Sequence, residues 1–185
     1  MSDFIEKQDD LLSKKECDDL INWSLSSRPV YKSPNSKYAG YGYVHFNYNE
    51  ICDLVKLKPI KNSIDKLLSS YKEKHPELNQ ISMWGLEYLR IKWWKPGDYY
   101  SVWHSEHDVK TPLRVLSFLI YLSDNDSYTE FTRYGKFETK SGSGIMFPAY
   151  FTHTHRGSVC KRGLHRYIAS GYFSFINKSG VTFLK

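Results

Sequence analysis

Apolar residues recur at two different periods along this chain, and the change falls near Ile81. Before it the spacing is helical. Ser13-Lys-Lys-Glu16 has the form of a capping box, and Cys17, Leu20 and Ile21 continue on one face until Arg28-Pro29 breaks the run. A second helix is expected from Pro59, a residue suited to a first helical turn, with Ile60, Ile64, Leu67, Leu68 and Tyr71 on one face and Pro76 closing it. Between them, Tyr31 to Tyr48 is rich in Tyr, Gly, Ser and Asn without helical period, and reads as a loop or hairpin outside the core.

After Ile81 the period is two. Leu89, Ile91 and Trp93 alternate with Arg90, Lys92 and Trp94, and Lys95-Pro-Gly-Asp98 turns the chain into a strand over Tyr99 to Glu106. Val115 to Leu122 is an unbroken apolar run of the kind buried on both faces. Turn residues at Asp124–Ser127 and Ser141–Gly144 bound further strands, with Ile145–Phe147 and Arg166–Phe175 completing the series. Helices first and short strands after predict an α+β fold. The expected form is an antiparallel jelly roll, a double-stranded β-helix, with the N-terminal helices packed outside its major sheet. Residues 1–185 read as one domain, helical to about 80 and β from about 81 to 176.

Composition narrows the setting. Aromatic residues make up 16% of the chain, with fifteen tyrosines, which favours a packed globule. Met1-Ser-Asp-Phe-Ile-Glu-Lys lacks the basic-then-apolar layout of a signal peptide, and no apolar run approaches the roughly 20 residues a membrane span needs. Cys17, Cys52 and Cys160 are odd in number and scattered, so they are expected as free thiols in a reducing cytoplasm. The net charge of +6 is mostly dispersed, but Arg156, Lys161, Arg162 and Arg166 follow a histidine cluster and would favour an acidic cosubstrate. Nucleic acid stays open as a partner, although no basic-aromatic stripe calls for it, and the oligomeric state is not legible.

The candidate chemistry lies in Trp103-His104-Ser105-Glu106 and in Phe147-Pro148-Ala149-Tyr150-Phe151-Thr152-His153-Thr154-His155-Arg156-Gly157. On an extended strand His104 and Glu106 face the same way. Two histidines and one carboxylate on one face of an octahedron leave three open positions, as in non-haem iron oxygenases. Asp108 continues the Glu106 face one pleat further, too far to share an ion with His104 easily. By spacing alone His153 and His155 are equivalent, and a core histidine with a satisfied hydrogen bond is the ordinary role for the one left over.

Tyr100-(x3)-His104-Ser-Glu106, Arg114-Val-Leu-Ser-Phe-Leu-Ile-Tyr-Leu122, Thr129-Glu-Phe131, Gly144-Ile-Met-Phe-Pro148, His155-Arg-Gly157 and Arg166-Tyr-Ile168 follow in order from about Leu86 to Phe175. This series resembles the catalytic domain of the Fe(II)/2-oxoglutarate-dependent dioxygenases, in the prolyl 4-hydroxylase-like branch, and its wording is similar to small phage-encoded members. The resemblance implies His104, Glu106 and His155 as metal ligands, with Glu106 where aspartate is commoner and His153 beside the site. It implies Arg166 as the partner of the far carboxylate of 2-oxoglutarate, with Tyr121, Ser117 and Tyr100 near the same cosubstrate. Ser170 shares Arg166's face and could add a hydroxyl; His165 points the opposite way. Packing is the ordinary role for Tyr100 and Tyr121. Asp126-Ser127-Tyr128 stands where relatives carry Gly-Gly, so the substrate rim departs from the family pattern.

The implied cofactors are Fe(II), 2-oxoglutarate and O2, with ascorbate as an optional addition, and the implied reaction is hydroxylation of a C–H bond with release of succinate and CO2. A peptidyl proline, another peptide or a small molecule would be the substrate. Two alternatives stand beside this: a β-helix binding module without catalysis, and a nucleic-acid demethylase of the same superfamily. The density of Tyr31, Tyr38, Tyr41, Tyr43 and Tyr48 around Gly40 and Gly42 also raises the expectation of a substrate lid.

Overall fold

The computed structural model describes residues 4–32, 41–81, 84–160 and 163–175. After strand β1 (Glu6–Gln8), helix α1 runs over Lys14–Ser27, and its start is the expected capping box. The Ser13 hydroxyl accepts from the Glu16 N–H at 3.2 Å, while the Glu16 carboxylate accepts from the Ser13 N–H at 2.8 Å. Cys17, Leu20, Ile21 and Ser24 are its buried stripe, and the chain is extended again at Arg28, before Pro29. Strands β2 (Tyr31–Lys32) and β3 (Gly42–Asn47) lead to a short helix α2 (Tyr48–Asp53), which was not anticipated. Asn47 and Glu50 cap it reciprocally at 3.0 and 2.9 Å, an N-x-x-E signal present in the sequence. Helix α3 (Lys58–Lys74) carries Pro59 in its first turn and buries Ile60, Ile64, Leu67 and Tyr71.

Eight strands follow: β4 (Trp84–Trp94), β5 (Tyr100–His104), β6 (Arg114–Tyr121), β7 (Tyr128–Phe131), β8 (Gly135–Glu138), β9 (Gly144–Pro148), β10 (His155–Gly157) and β11 (Arg166–Phe175). They form two sheets, ordered β1-β9-β6-β11-β4-β3-β2 and β5-β10-β7-β8, with every pair antiparallel. One core fills the space between the helices and the larger sheet, where Leu20, Ile60, Ile64 and Leu67 join Leu89, Ile91, Phe118, Ile120 and Met146. A second cluster, Phe131, Ile145 and Phe147, packs on the other side of the larger sheet, toward the smaller one. The helices therefore cover the outer face of the major sheet, as the jelly-roll expectation required. Among the described residues no helix is long and apolar enough to cross a membrane.

The hairpin expected over Tyr31–Tyr48 is present, β2 pairing antiparallel with β3, but its placement outside the core needs correction. Its residues 33–40 lie outside the described residues, but β3 is an internal strand, bonded to β2 on one side and β4 on the other. Val44 and Phe46 are fully buried in the main core. Their alternation spans only two apolar positions and is outweighed by surrounding Gly, Tyr and Asn, so composition disguised a strand. Phe46→Ala should cost about 3–5 kcal/mol in a guanidinium titration. The half-exposed Tyr31→Ala should stay within about 0.5 kcal/mol. Similar small losses for both would return the segment to a peripheral role.

Candidate metal centre

Antiparallel pairing builds the site. In the smaller sheet His155 is the direct cross-strand partner of His104, which brings the two imidazole rings to 4.4 Å between centroids. The strand expected to run to Glu106 stops at His104. Glu106 is instead held by its backbone: the N–H groups of Glu106 and His107 both donate to the carbonyl of Ala149, at 3.0 and 2.9 Å, just beyond the end of β9. Its Oε1 lies 3.5 Å from Nε2 of His104 and 3.6 Å from Nε2 of His155. One donor atom from each residue falls within 4.8 Å of the other two.

Proton placement gives this cluster its meaning. Nδ1 of His104 is 2.9 Å from the Val102 carbonyl, and Nδ1 of His155 is 3.0 Å from the His153 carbonyl. A carbonyl only accepts, so each Nδ1 carries the proton and each Nε2 presents a lone pair. With no ion bound, burial raises the affinity of Glu106 for a proton, while a hydrogen bond or positive charge from an imidazole carrying a proton on Nε2 would hold its carboxyl well below the usual range; an ion takes the place of that proton. Burial pushes His155 the other way, toward the neutral form. Three acceptors thus converge with no hydrogen between them. Donor separations near 3.5 Å are within the span of two metal bonds of roughly 2.0–2.2 Å, and the mixed nitrogen-oxygen set suits a divalent first-row ion.

The surroundings orient the carboxylate. Arg114 at the head of β6 places Nη1 3.5 Å from Glu106 Oε2, so one oxygen faces the histidines and the other the guanidinium. Arg114 is itself fixed by Glu87 at 3.0 and 3.2 Å, by the Tyr88 hydroxyl at 3.0 Å and by the Tyr172 ring 3.5 Å below it. Sequence reasoning passed over this role, for which the only signal was a charge opening an apolar strand. The alternative ligands fall away. Asp108 accepts from the Lys110 and Thr111 N–H groups and caps an exposed turn. His153 sits in a helical turn ahead of β10, stacked on Tyr134, and contributes its carbonyl to His155 rather than its ring to the cluster.

The triad opens into a cavity of about 220 Å³ that also takes in Arg166, Thr129, Tyr100, Trp94 and Lys92. Arg166 is 3% exposed, yet no carboxylate among the described residues pairs with it. Its Nη2 donates to the Thr129 hydroxyl at 3.2 Å, its guanidinium lies 5.4 Å over the Trp94 ring, and its Nε has no partner among the described residues. A Cβ on Gly157 would meet Nη1 at 3.0 Å, so glycine leaves the guanidinium its room. The Tyr121 hydroxyl donates to Thr129 at 2.9 Å, which frees the threonine's own proton for the cavity. Thr129 thus lines the cavity beside Arg166, with the Tyr121 hydroxyl directly behind it. Ser117 and Ser170 are buried with unpartnered hydroxyls and are not among the lining residues either. Tyr100 does line the cavity, edge-on to His104 at 4.7 Å, and burial raises its hydroxyl so that it stays a neutral donor. His165 is exposed, and Lys161 and Arg162 lie outside the described residues. Arg156 lines the cavity but is paired with Glu130 at 2.7 Å. Cys17, Cys52 and Cys160 are free thiols.

No family model and no curated protein sequence matches the chain. Solved structures do. The viral collagen prolyl hydroxylase of Paramecium bursaria chlorella virus-1, in its 2-oxoglutarate complex, superposes with a TM-score of 0.72 at 23% identity, covering 94% of this chain and 97% of that one. A prolyl-4-hydroxylase of Pseudomonas putida gives 0.63 at 12% identity, with 92% of each chain covered. A prolyl hydroxylase of Trichoplax adhaerens, bound to a peptide of a hypoxia-inducible factor, gives 0.66 at 14%, covering 94% and 84%. The chain therefore has the double-stranded β-helix fold of the 2-oxoglutarate–Fe(II) oxygenases.

Equilibrium dialysis against Fe(II) or Mn(II) should show one ion per chain. Alanine at His104, Glu106 or His155 should abolish it, and His153→Ala should keep it. Arg114→Met should weaken the ion by about 10–100-fold, the usual cost of losing a group that orients a ligand. Retained stoichiometry in Glu106→Ala would remove the carboxylate from the centre.

Proposed function

We propose that the protein is an Fe(II)- and 2-oxoglutarate-dependent dioxygenase that hydroxylates a C–H bond of a peptide or amino-acid substrate, acting as one catalytic domain. The observation that supports this most is a pairing of opposites in one cavity: three converging acceptors that need a cation, and a buried guanidinium that needs an anion. A keto-dicarboxylate satisfies both, with one end at the metal and the other at Arg166. When bound, iron, 2-oxoglutarate and O2 supply the oxidative decarboxylation to succinate and CO2 that drives the hydroxylation.

The chain's own residues do the rest. His104, Glu106 and His155 would hold a divalent ion, leaving positions open for further ligands. Arg166 grips the distal carboxylate in a dry site where a charge-assisted pair counts, and the Thr129 hydroxyl, supplied by Tyr121, adds a donor beside it. Tyr100 and Trp94 line the cavity with aromatic rings beside the triad and Arg166. Prolyl hydroxylases among the structural neighbours, one holding a peptide, make a peptide the first substrate to test.

The test is succinate formation from 2-oxoglutarate with Fe(II), O2 and ascorbate, alone and against peptide, amino-acid and nucleic-acid panels. Arg166→Ala should raise the 2-oxoglutarate KM at least a hundredfold, consistent with the roughly 3–5 kcal/mol cost of a buried charge losing its partner, while the metal still binds. Arg166→Lys should fall between, since a point charge cannot reproduce the planar fork. An unchanged KM in Arg166→Ala would place the distal carboxylate elsewhere.

A further inference from the structure

The charges lining the cavity do not balance, and the imbalance lies on one strand face. Trp94, Lys92 and Arg90 alternate along β4 and all line the cavity. In register with β11 they stand opposite Arg166, Ile168 and Ser170. Two of the lining arginines are answered by carboxylates, Arg114 by Glu87 and Glu106, and Arg156 by Glu130. Arg90 and Lys92 have no carboxylate at ion-pair distance among the described residues. The contacts of Arg90 are neutral: its Nε donates to Nδ1 of His45 at 3.3 Å, and its guanidinium lies 4.7 and 4.5 Å over the rings of Tyr43 and Tyr88. Burial and the Arg90 charge both push His45 toward its neutral form. Lys92 Nζ faces the ring of Tyr41 at 5.8 Å.

On the function proposed above, the cosubstrate does not remove this excess. A divalent ion with Glu106 carries one positive charge and Arg166 carries another, which together match the two carboxylates of 2-oxoglutarate. Arg90 and Lys92 remain. As neighbours on one face they are roughly 7 Å apart along the strand, a separation at which both can engage a single carboxylate or two adjacent ones. We infer that Lys92 and Arg90 form the substrate-recognition site and that the substrate carries a carboxylate close to the carbon that is hydroxylated, as in an acidic peptide.

Three further points agree. Burial pushes the Lys92 amine down to about 8, so charge at this position is costly until an anion arrives. The cavity of about 220 Å³ is smaller than the roughly 300–1,000 Å³ of common ligand pockets; with the cosubstrate seated, it admits a group of side-chain size. The rim cation Arg156 is already compensated, whereas the uncompensated pair is only partly exposed on the cavity wall and spaced to meet one carboxylate group. A carboxylate is thus favoured over nucleic acid.

The inference rests on the oxygenase reading, and the experiment separates the two. Zn(II)-loaded protein, which binds without turnover, is immobilised with saturating 2-oxoglutarate and offered two random heptapeptide libraries. They are identical except that Asp and Glu in one are Asn and Gln in the other. The acidic library should be retained selectively, and its best peptide should bind about tenfold or more tightly than its amide twin, a gap of about 1.4 kcal/mol. Lys92→Met and Arg90→Met should each erase most of that preference, and Lys92→Arg should keep it. Equal retention of the two libraries, or a preference that survives both methionine variants, overturns the inference. So does a Lys92→Met variant whose only change is weaker 2-oxoglutarate binding, or displacement of the peptide by a single-stranded oligonucleotide in a Lys92-dependent way. Succinate formation by the Fe(II)-loaded wild type, measured separately, decides the oxygenase reading whichever way the libraries divide.

Discussion

Three acceptors meeting without a proton between them is the constraint around which this molecule is organised. Lone pairs on His104 and His155 and the ionised Glu106 repel one another in a partly dry cavity, and only the surrounding fold keeps them together. The β5–β10 register does most of this by setting the histidines opposite one another. The two N–H groups on Ala149 carry Glu106 into place where the strand has already ended. Each imidazole is locked by a carbonyl on its own backbone neighbourhood, two residues upstream in both cases. Orientation at this level of over-determination is what a metal site demands, because an ion tolerates little error in donor position.

The same logic runs outward through the major sheet. Its two faces differ sharply in chemistry: Leu89 and Ile91 point to the helices, and Arg90, Lys92 and Trp94 point to the cavity. A strand's period of two makes that separation possible within six residues. The helices are thus more than decoration. By covering one face with an apolar layer they let β4 spend its other face on charge, with the core carrying the stability that the cavity face gives up.

Much of this was legible in the sequence, and the reasons differ by element. The α1 capping box, the α3 stripe and the β4 alternation are local signals whose periodicity survives any reasonable packing. The order of the motifs alone points to His104, Glu106, His155 and Arg166 as parts of one site, and the fold brings them to one cavity. What could not be read depends on tertiary detail. Val44 and Phe46 became core because β4 offered a pairing edge, which composition does not encode. Asp108 turned away because the strand ended early, and His153 left the histidine face because its residue belongs to a helical turn. Thr129 stands in front of Tyr121 because a hydroxyl relay needs a geometry that spacing cannot supply.

Uncompensated cations on the cavity wall link this design to function. A guanidinium or ammonium taken out of water costs free energy unless it is paired, and Arg166, Arg90 and Lys92 are held without carboxylates among the described residues. Any ligand that supplies the missing charge therefore gains twice, from its own contacts and from relieving a cost the free protein already carries. Binding to the folded state alone also raises folding stability with ligand concentration. A cavity built this way is selective by sign before it is selective by shape. Neutral molecules of the right size leave its cations unanswered, and the lining Arg90, Lys92 and Arg166 repel cations. Across the β4–β11 pair Arg166 and Trp94 stand at one level, and Lys92 and Arg90 at the next two on β4. Two anions can be held in sequence on one rigid strand pair without competing for the same positive charge.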